Sequence, residues 1–164
     1  MDRAPPATTV SLDPNARPQL WNAFDYADTL DGVLPEVDVV VASMADLESA
    51  GYDGPPASVA EDVQAAGPHT VLLTRGAEGA VGHATDTPAW GPAETTHEGF
   101  GVDAVDTTGA GDAFTAGVVH ALGAGASLAA AVQFGNAVAA LSTTARGAMA
   151  ALPTHEAVES LLSR

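Results

Sequence analysis

The segment VDTTGAGDAFTAGVVHAL, Val105 to Leu122, decides how the rest of this chain is read. Three small residues, Gly109, Ala110 and Gly111, stand directly before an acid, Asp112, and an amphipathic helical pattern follows. Glycine-rich backbone at a helix start lets several N–H groups converge without Cβ obstruction, and the helix adds about half a unit of positive charge there. Such a cradle binds an anion, most usefully one whose charge grows during a reaction. A carboxylate beside it would repel that anion, so Asp112 suits another task, taking the proton of a hydroxyl that attacks the anion. Cradle and base together are the minimum apparatus for phosphoryl transfer to an alcohol. Taken alone, G-A-G-D also fits a plain helix start, in which glycine turns the chain and the acid favours the dipole.

Outward from this segment, strand and helix patterns alternate. ATTVSLD (Ala7 to Asp13) is a β-branched run closed by Pro14 and predicts a strand. QLWNAFDYADTL carries Leu20, Trp21, Phe24, Ala27 and Leu30 at helical spacing. VDVVVAS (Val37 to Ser43) is nearly continuous in apolar residues, as in parallel strands covered on both faces. MADLESAG predicts a short helix stopped by Gly51, and SVAEDVQAAG another with Ser58 as N-cap and Gly67 past its end. HTVLLTRG predicts a third strand entering a glycine loop, while AEGAVGHA and the region Thr95 to Val105 predict shorter strands. Three helices close the chain, at about Ala110 to Leu122, Leu128 to Leu141 and Thr154 to Leu162. The alternation predicts a single α/β domain over residues 1–164, with a mostly parallel sheet between helix layers.

Composition narrows the function. At 46% hydrophobic residues the chain has the material for a core and is not a disordered polyanion. The absence of cysteine excludes disulfides, a thiol nucleophile and a cysteine-bound zinc. No apolar run reaches bilayer length and MDRAPPATT lacks the apolar centre of a secretion signal, so a cytoplasmic protein without membrane contact is expected. There are 21 acids against 5 basic residues, none of them lysine, for a formal net charge of −16. Nucleic acid, which needs a basic stripe, is therefore not an expected partner. So acidic a surface predicts a halophilic source, since salt screens self-repulsion over a Debye length of ~3 Å at 1 M.

The longer string DTTGAGDAFTAG closely resembles the C-terminal signature of the PfkB, or ribokinase-like, carbohydrate kinases. SLDPNARPQLW resembles the fructokinase and 2-keto-3-deoxygluconate kinase branch of that family. The resemblance implies a three-layer ribokinase-like fold and ATP-dependent phosphoryl transfer to a hydroxyl of a sugar or sugar acid. It makes Asp112 the catalytic base and Gly109, Ala110 and Gly111 the anion hole. TRGAEG (Thr74, Arg75, Gly76, Ala77, Glu78, Gly79) resembles the family's strand-to-loop segment against the ATP phosphates and ribose, although a tight hairpin turn has the same composition. FGNAVAAL resembles the helix beside the adenine, with Asn136 as the contact; the alternative is an exposed helix asparagine. Asp13, Asn15 and Arg17 are then placed toward the acceptor. Arg17 would steer the transferring phosphate or a sugar acid's carboxylate, or else pair with one of the many acids.

Two metal sites are implied by the same resemblance. ARGAMAALPT resembles the stretch that supplies carbonyls to a monovalent cation, K+ for instance, which here would use Asp106 and Thr108 with main chain near Ser142, Ala145, Gly147 and Ala151. For Mg2+ this chain departs from the family pattern of an Asn and, three residues later, a Glu: it has Ser43 and Asp46. Mg2+ keeps several waters and could bridge the shorter reach. Asp46 could equally be a solvated acid early in a helix.

The resemblance spans nearly the whole chain but only the C-terminal half of a usual member. It implies that the N-terminal half and the small β-sheet lid are absent, and that ATTVSLD lies at an unprotected sheet edge. Self-association, or a second chain supplying the N-terminal half, would then complete the site. The rival to an enzyme is a truncated, non-catalytic nucleotide-binding or interaction module of the same fold. A metal hydrolase is disfavoured because His69, His83, His97, His120 and His155 show no ligand spacing. A dinucleotide dehydrogenase lacks its G-x-G-x-x-G after the first strand.

Overall fold

Two aliphatic runs, β2 (Val39–Ser43) and β3 (Thr70–Thr74), form the middle of a five-stranded sheet with β1 (Ser11–Leu12), β4 (Ala80–Ala84) and β5 (Ala93–His97), in the order β1-β2-β3-β4-β5. The structure, a computed structural model, describes residues 8–21, 25–87 and 89–164. The three strands β1 to β3 are parallel and β4 runs antiparallel to both β3 and β5, so four of the five point the same way. Ser43 pairs with Thr74, which brings the carboxyl ends of β2 and β3 level. In open α/β sheets that end is where ligands bind.

Side-chain alternation along β2 and β3 builds the two helix layers. Val40, Ala42, Val71 and Leu73 pack with Leu30 and Leu34, Leu47, and Val59 and Val63. Those partners belong to α1 (Tyr26–Val33) and the turn after it, α2 (Met44–Glu48) and α3 (Pro56–Ala65). Val39, Val41 and Leu72 point to the other face, against Phe114 and Val118 of α4 (Ala110–Gly123) and Leu128 and Val132 of α5 (Leu128–Ser142). A period of two in strands buried on both faces leaves no polar side, which is why these runs are continuously apolar. The last helix, α6 (His155–Leu162), adds Val158 and Leu161 against Ala137.

Several boundaries differ from the sequence expectation. The predicted helix from Gln19 is split: a 3-10 turn covers Pro18–Leu20, leaving Leu20 75% exposed, and α1 begins only after Asp25, whose side chain accepts the Asp28 N–H. An N-cap acid inside an apolar period ends the period. Phe24 lies outside the described residues. Ser58 is not an N-cap but sits inside α3, which starts at Pro55–Pro56; proline at the first position lacks the N–H a cap would satisfy. The strand expected over Thr95 to Val105 stops at His97, because Gly99 takes a positive φ of 80°. The first strand is reduced to Ser11–Leu12, extended by Val10, whose carbonyl accepts from Asp38 and Val39 N–H while its own N–H donates to the Asp38 carboxylate at 2.7 Å. As expected, β1 is the edge of the described sheet. No helix among the described residues is long and apolar enough to cross a membrane.

Candidate active site

Two clefts open at the carboxyl ends of the central strands, about 340 Å³ and 510 Å³ in volume. Thr74, Thr107, Ala110 and Gly111 line both, so the clefts meet along the backbone that starts α4. The smaller cleft holds Asp13, Asn15, Arg17, Ser43, Asp46 and Asp112. The larger is walled by Gly76, Ala77 and Gly79 after β3, by the segment Glu98–Val102 after β5, and by Asn136 and Thr143 of α5.

The glycines of G-A-G have different reasons. Gly109 has φ 79°, and a Cβ there would sit 2.6 Å from the Ala148 Cβ, so the fold itself demands glycine. At Gly111 a Cβ would meet no protein atom within 4 Å. Packing does not require glycine at 111; its bareness opens only toward the clefts. Asp112, in the first turn of α4, is exposed on the smaller-cleft side.

The turn before α4 is anchored by Asp106. Its carboxylate accepts the N–H of Thr108 and of Gly147, both at 3.0 Å, across 41 residues in the second case. The Thr108 side chain first, then the Gly147 and Thr108 backbone, holds this carboxyl below the usual carboxylate range. Thr143 carbonyl accepts from both Val105 and Asp106, and Ala151 N–H reaches Gly147 carbonyl at 3.0 Å. Asp106, Thr108, Gly147 and Ala151 are thus linked through one hydrogen-bonded junction. Ser142 spends its hydroxyl within α5, on the Ala139 carbonyl at 2.8 Å, and Ala145 lies in the turn between. Among the described residues no group of three or more His, Cys, Asp or Glu side chains is placed to hold a metal ion.

In the smaller cleft, two carboxylates suspend the segment from Asp13 to Arg17. Asp13 Oδ2 accepts the Thr115 hydroxyl at 3.2 Å, one helical turn past Asp112. Asp46 accepts Ala16 N–H at 2.8 Å on one oxygen, and the Ser43 hydroxyl and N–H at 2.6 and 3.2 Å on the other. Ser43 Oγ accepts the Asp46 N–H in return, completing a capping box for α2. Between the two supports Asn15 takes a φ of 42°, rare outside glycine. Arg17 is exposed, donates to the Ala16 carbonyl at 2.8 Å, and faces the cleft. Burial raises the Asp13 carboxyl above its ordinary value; the Thr115 bond opposes this, while Asp46 and Asp112 push it further up. The Tyr26 phenol is pushed up to about 12, by burial and then by Asp46 and Asp13.

On the nucleotide-like side the expected set divides. Thr74, Gly76, Ala77, Gly79 and Asn136 line the larger cleft, but Arg75 and Glu78 do not. Arg75 instead closes the turn: its N–H donates to the Gly79 carbonyl at 2.8 Å and its guanidinium to the Glu78 carbonyl at 2.9 Å. A four-residue turn needs its orphan carbonyls satisfied locally, and the arginine does so. Asn136 is 6% exposed and its amide nitrogen has no protein partner. A buried amide donor left unpaired costs ~1–3 kcal/mol, so a ligand acceptor in the cleft would relieve it. Thr115 and the Glu98–Val102 wall were not among the sequence candidates. Thr115 stood inside the motif one turn after Asp112, and paired glycines around Phe100 follow a strand, so each had a signal.

For Mg2+, three of about four lone-pair positions of the Asp46 carboxylate are used by protein donors. The remaining position suits a bound water better than a direct metal contact, in keeping with an ion that retains its waters.

The family model of the pfkB family carbohydrate kinases matches residues 2–155. The 2-dehydro-3-deoxygluconokinase of Bacillus subtilis (strain 168) is 36% identical over 157 residues, covering 94% of this chain and 47% of that protein. The 2-dehydro-3-deoxygalactonokinase of Haloferax volcanii is 35% identical over 159 residues, with 94% and 47% covered. Among solved structures, the Vibrio cholerae O395 fructokinase bound to fructose, ADP and calcium ion superimposes with a TM-score of 0.81 at 29% identity, covering 94% of this chain and 50% of that one. An Escherichia coli putative ribokinase II in complex with ATP and Mg2+ gives 0.82 at 26% identity, with 94% and 48% covered. The chain therefore spans about half the length of the relatives it matches.

Proposed function

The chain belongs to the pfkB family of carbohydrate kinases, and on that premise we propose that it carries the nucleotide- and phosphoryl-handling part of an ATP-dependent kinase for a sugar or sugar acid. The observation that carries this reading is the meeting of the two clefts at Ala110 and Gly111, with Asp112 on the acceptor side. A phosphoryl group crossing from the larger cleft to the smaller would pass residues 109–111, where the Ala110 N–H is held by the Thr107 carbonyl at 3.2 Å and the N–H groups of Gly109 and Gly111 are left to stabilise its charge. The Asp112 carboxylate accepts the proton of the attacking hydroxyl, a contribution of ~10²–10⁴ in rate. Asn136 offers its unpaired amide to the base, and Gly76 and Gly79 admit phosphate close to backbone. Ser43 and Asp46 would hold Mg2+ through water, and the chemistry it would supply there is neutralisation of phosphate charge. Asp106 and Thr108, with carbonyls of the 142–151 turn, are the proposed monovalent-cation ligands.

Among the described residues Arg17 is the sole cation lining the acceptor cleft, beside the three carboxylates Asp13, Asp46 and Asp112. A carboxylate-bearing acceptor could enter that field only opposite Arg17, by charge-assisted pairing. Relatives named for 2-dehydro-3-deoxygluconate-type and fructose substrates support these acceptors as the first to try.

The test is acceptor-dependent ADP formation in strong KCl with Mg2+, over 2-dehydro-3-deoxygluconate, fructose and ribose, beside Asp112→Asn. Turnover that collapses in the variant supports the kinase. ADP binding without turnover favours the second reading, a nucleotide-binding module awaiting a second chain or copy. That reading has its own support, since the acceptor segment hangs from an edge strand of two residues. The charge of −16 further predicts a melting temperature that rises between 0.1 and 1 M KCl, as the Debye length contracts from ~10 to ~3 Å.

A further inference from the structure

The wall of the larger cleft formed by Glu98–Val102 is irregular backbone; Phe100 packs on the cluster of Ala137, Val158 and Leu161, and a histidine braces the start of the wall. His97 ends β5, the outer strand of the sheet beside β4. Its ring turns past Glu98 and accepts the Gly99 N–H on Nδ1 at 3.0 Å. The same ring lies on Phe100, centroids 4.8 Å apart and planes 39° apart. Directly beneath, Gly79 approaches so closely that a Cβ there would collide with the His97 carbonyl and the Gly99 nitrogen. Gly79, Glu98, Gly99 and Phe100 all line the cleft. The imidazole therefore braces the loop after β5 at the place where its backbone crosses Gly79 of the loop after β3 and both face the cleft.

A backbone N–H can only donate, so Nδ1 must be the acceptor and any ring proton must sit on Nε2. Protonating Nδ1 would set two donors against each other and release Gly99. We propose that His97 is a positioning residue of the nucleotide cleft, a latch that holds the 98–102 wall against Gly79 while its imidazole is neutral and frees that wall when it is protonated. This rests on the larger cleft being the nucleotide site. Burial holds the His97 pKa below the ordinary value, and Glu98, the charged group acting on it, pulls the other way. The sign follows: the latch is complete above the ordinary imidazole value of about 6.5 and is lost as pH falls through His97's own lower value.

Asparagine at 97 provides the control. Its side-chain oxygen accepts the N–H two residues on in an Asx-turn and does not titrate. Calorimetric titration of the full chain with ADP and Mg2+ from pH 8 to pH 5 would compare wild type, His97→Asn and His97→Leu. At pH 8 wild type and His97→Asn should bind alike, and His97→Leu roughly two- to tenfold more weakly, the range of one net hydrogen bond. By pH 5 wild type should lose a similar factor relative to His97→Asn, which cancels the titration of ADP itself. Protection of the Gly99 amide against hydrogen exchange should fall in parallel, relative to the same control. Wild type and His97→Asn sharing one pH profile, in binding or in Gly99 protection, would overturn the latch. Failure of wild type to bind ADP at pH 8 would instead sink the nucleotide reading, and Gly99 protection alone would then decide whether the histidine latches the wall.

Discussion

Around the larger cleft, the proposed nucleotide side, the walls grow from five-residue strands and a fifteen-residue helix whose inner faces are buried with Phe114, Leu128 and Val132. Around the smaller cleft, the proposed acceptor side, the segment Asp13–Arg17 follows a two-residue strand and is held at two points by side chains, Asp13 on Thr115 and Asp46 on Ala16. Apolar packing fixes most of the first wall with many weak contacts, so outside the His97–Gly99 bond no single polar change should undo it. A few hydrogen bonds fix the second, each worth about 0.5–1.5 kcal/mol net, so single polar changes should move it. One face of the site is a product of the core and the other of individual side chains.

Substitutions can break this contrast, in descending order of expected effect. Asp112→Asn should lower kcat by ~10²–10⁴ while leaving ADP affinity within about twofold, checked by turnover and calorimetry together. An equal loss of ADP affinity would show that the two sides are not separable. Gly111→Val puts a side chain into the shared cleft, from a Cβ position with no protein atom within 4 Å. Turnover should fall by up to ~10², the scale of a misplaced reacting group, with the melting temperature unchanged. Gly109→Ala should do the opposite, costing about 1–3 kcal/mol in denaturant unfolding because of its left-handed backbone and the Ala148 contact.

Asp46→Ala removes the α2 capping box and the Ala16 support together. A loss of about 1–2 kcal/mol is expected, with a higher acceptor KM and with ADP affinity unchanged when Mg2+ is left out. Thr115→Val should be the mildest, about 1 kcal/mol or less, and should raise acceptor KM without moving that for ATP. If Thr115→Val and Asp46→Ala leave the acceptor KM unmoved, the segment is set by something other than its two carboxylate supports.

Much of this was legible in the chain itself. The helices after Gly109 and after Ser127 begin where the motif and the serine cap place them, because cap and period agree. The acceptor residues were legible as neighbours in sequence but not as a suspended segment. The bond from Asp13 to Thr115 spans 102 residues, and no local pattern encodes a contact at that distance. Asp46 shows the same limit. Sequence offered a metal-water role or a solvated acid, whereas the structure spends its oxygens on Ser43 and Ala16. Arg75 and Glu78 stood inside a phosphate-loop string yet close the turn rather than line the cleft, since the Arg75 guanidinium is spent on the Glu78 carbonyl and its N–H on that of Gly79.

The sequence by itself determined the α/β alternation, the two-sided burial of β2 and β3, and the bare backbone ahead of Asp112. Each of these depends on periodicity, propensity or glycine chemistry within a few residues. Tertiary structure alone decided that the two clefts meet at Ala110 and Gly111, that Asp13 and Asp46 become supports, and that His97 faces the Gly99 N–H across a glycine crossing. Those outcomes depend on which distant groups arrive at the same point to satisfy a buried or strained neighbour, and that is settled only when the sheet and its two helix layers have packed.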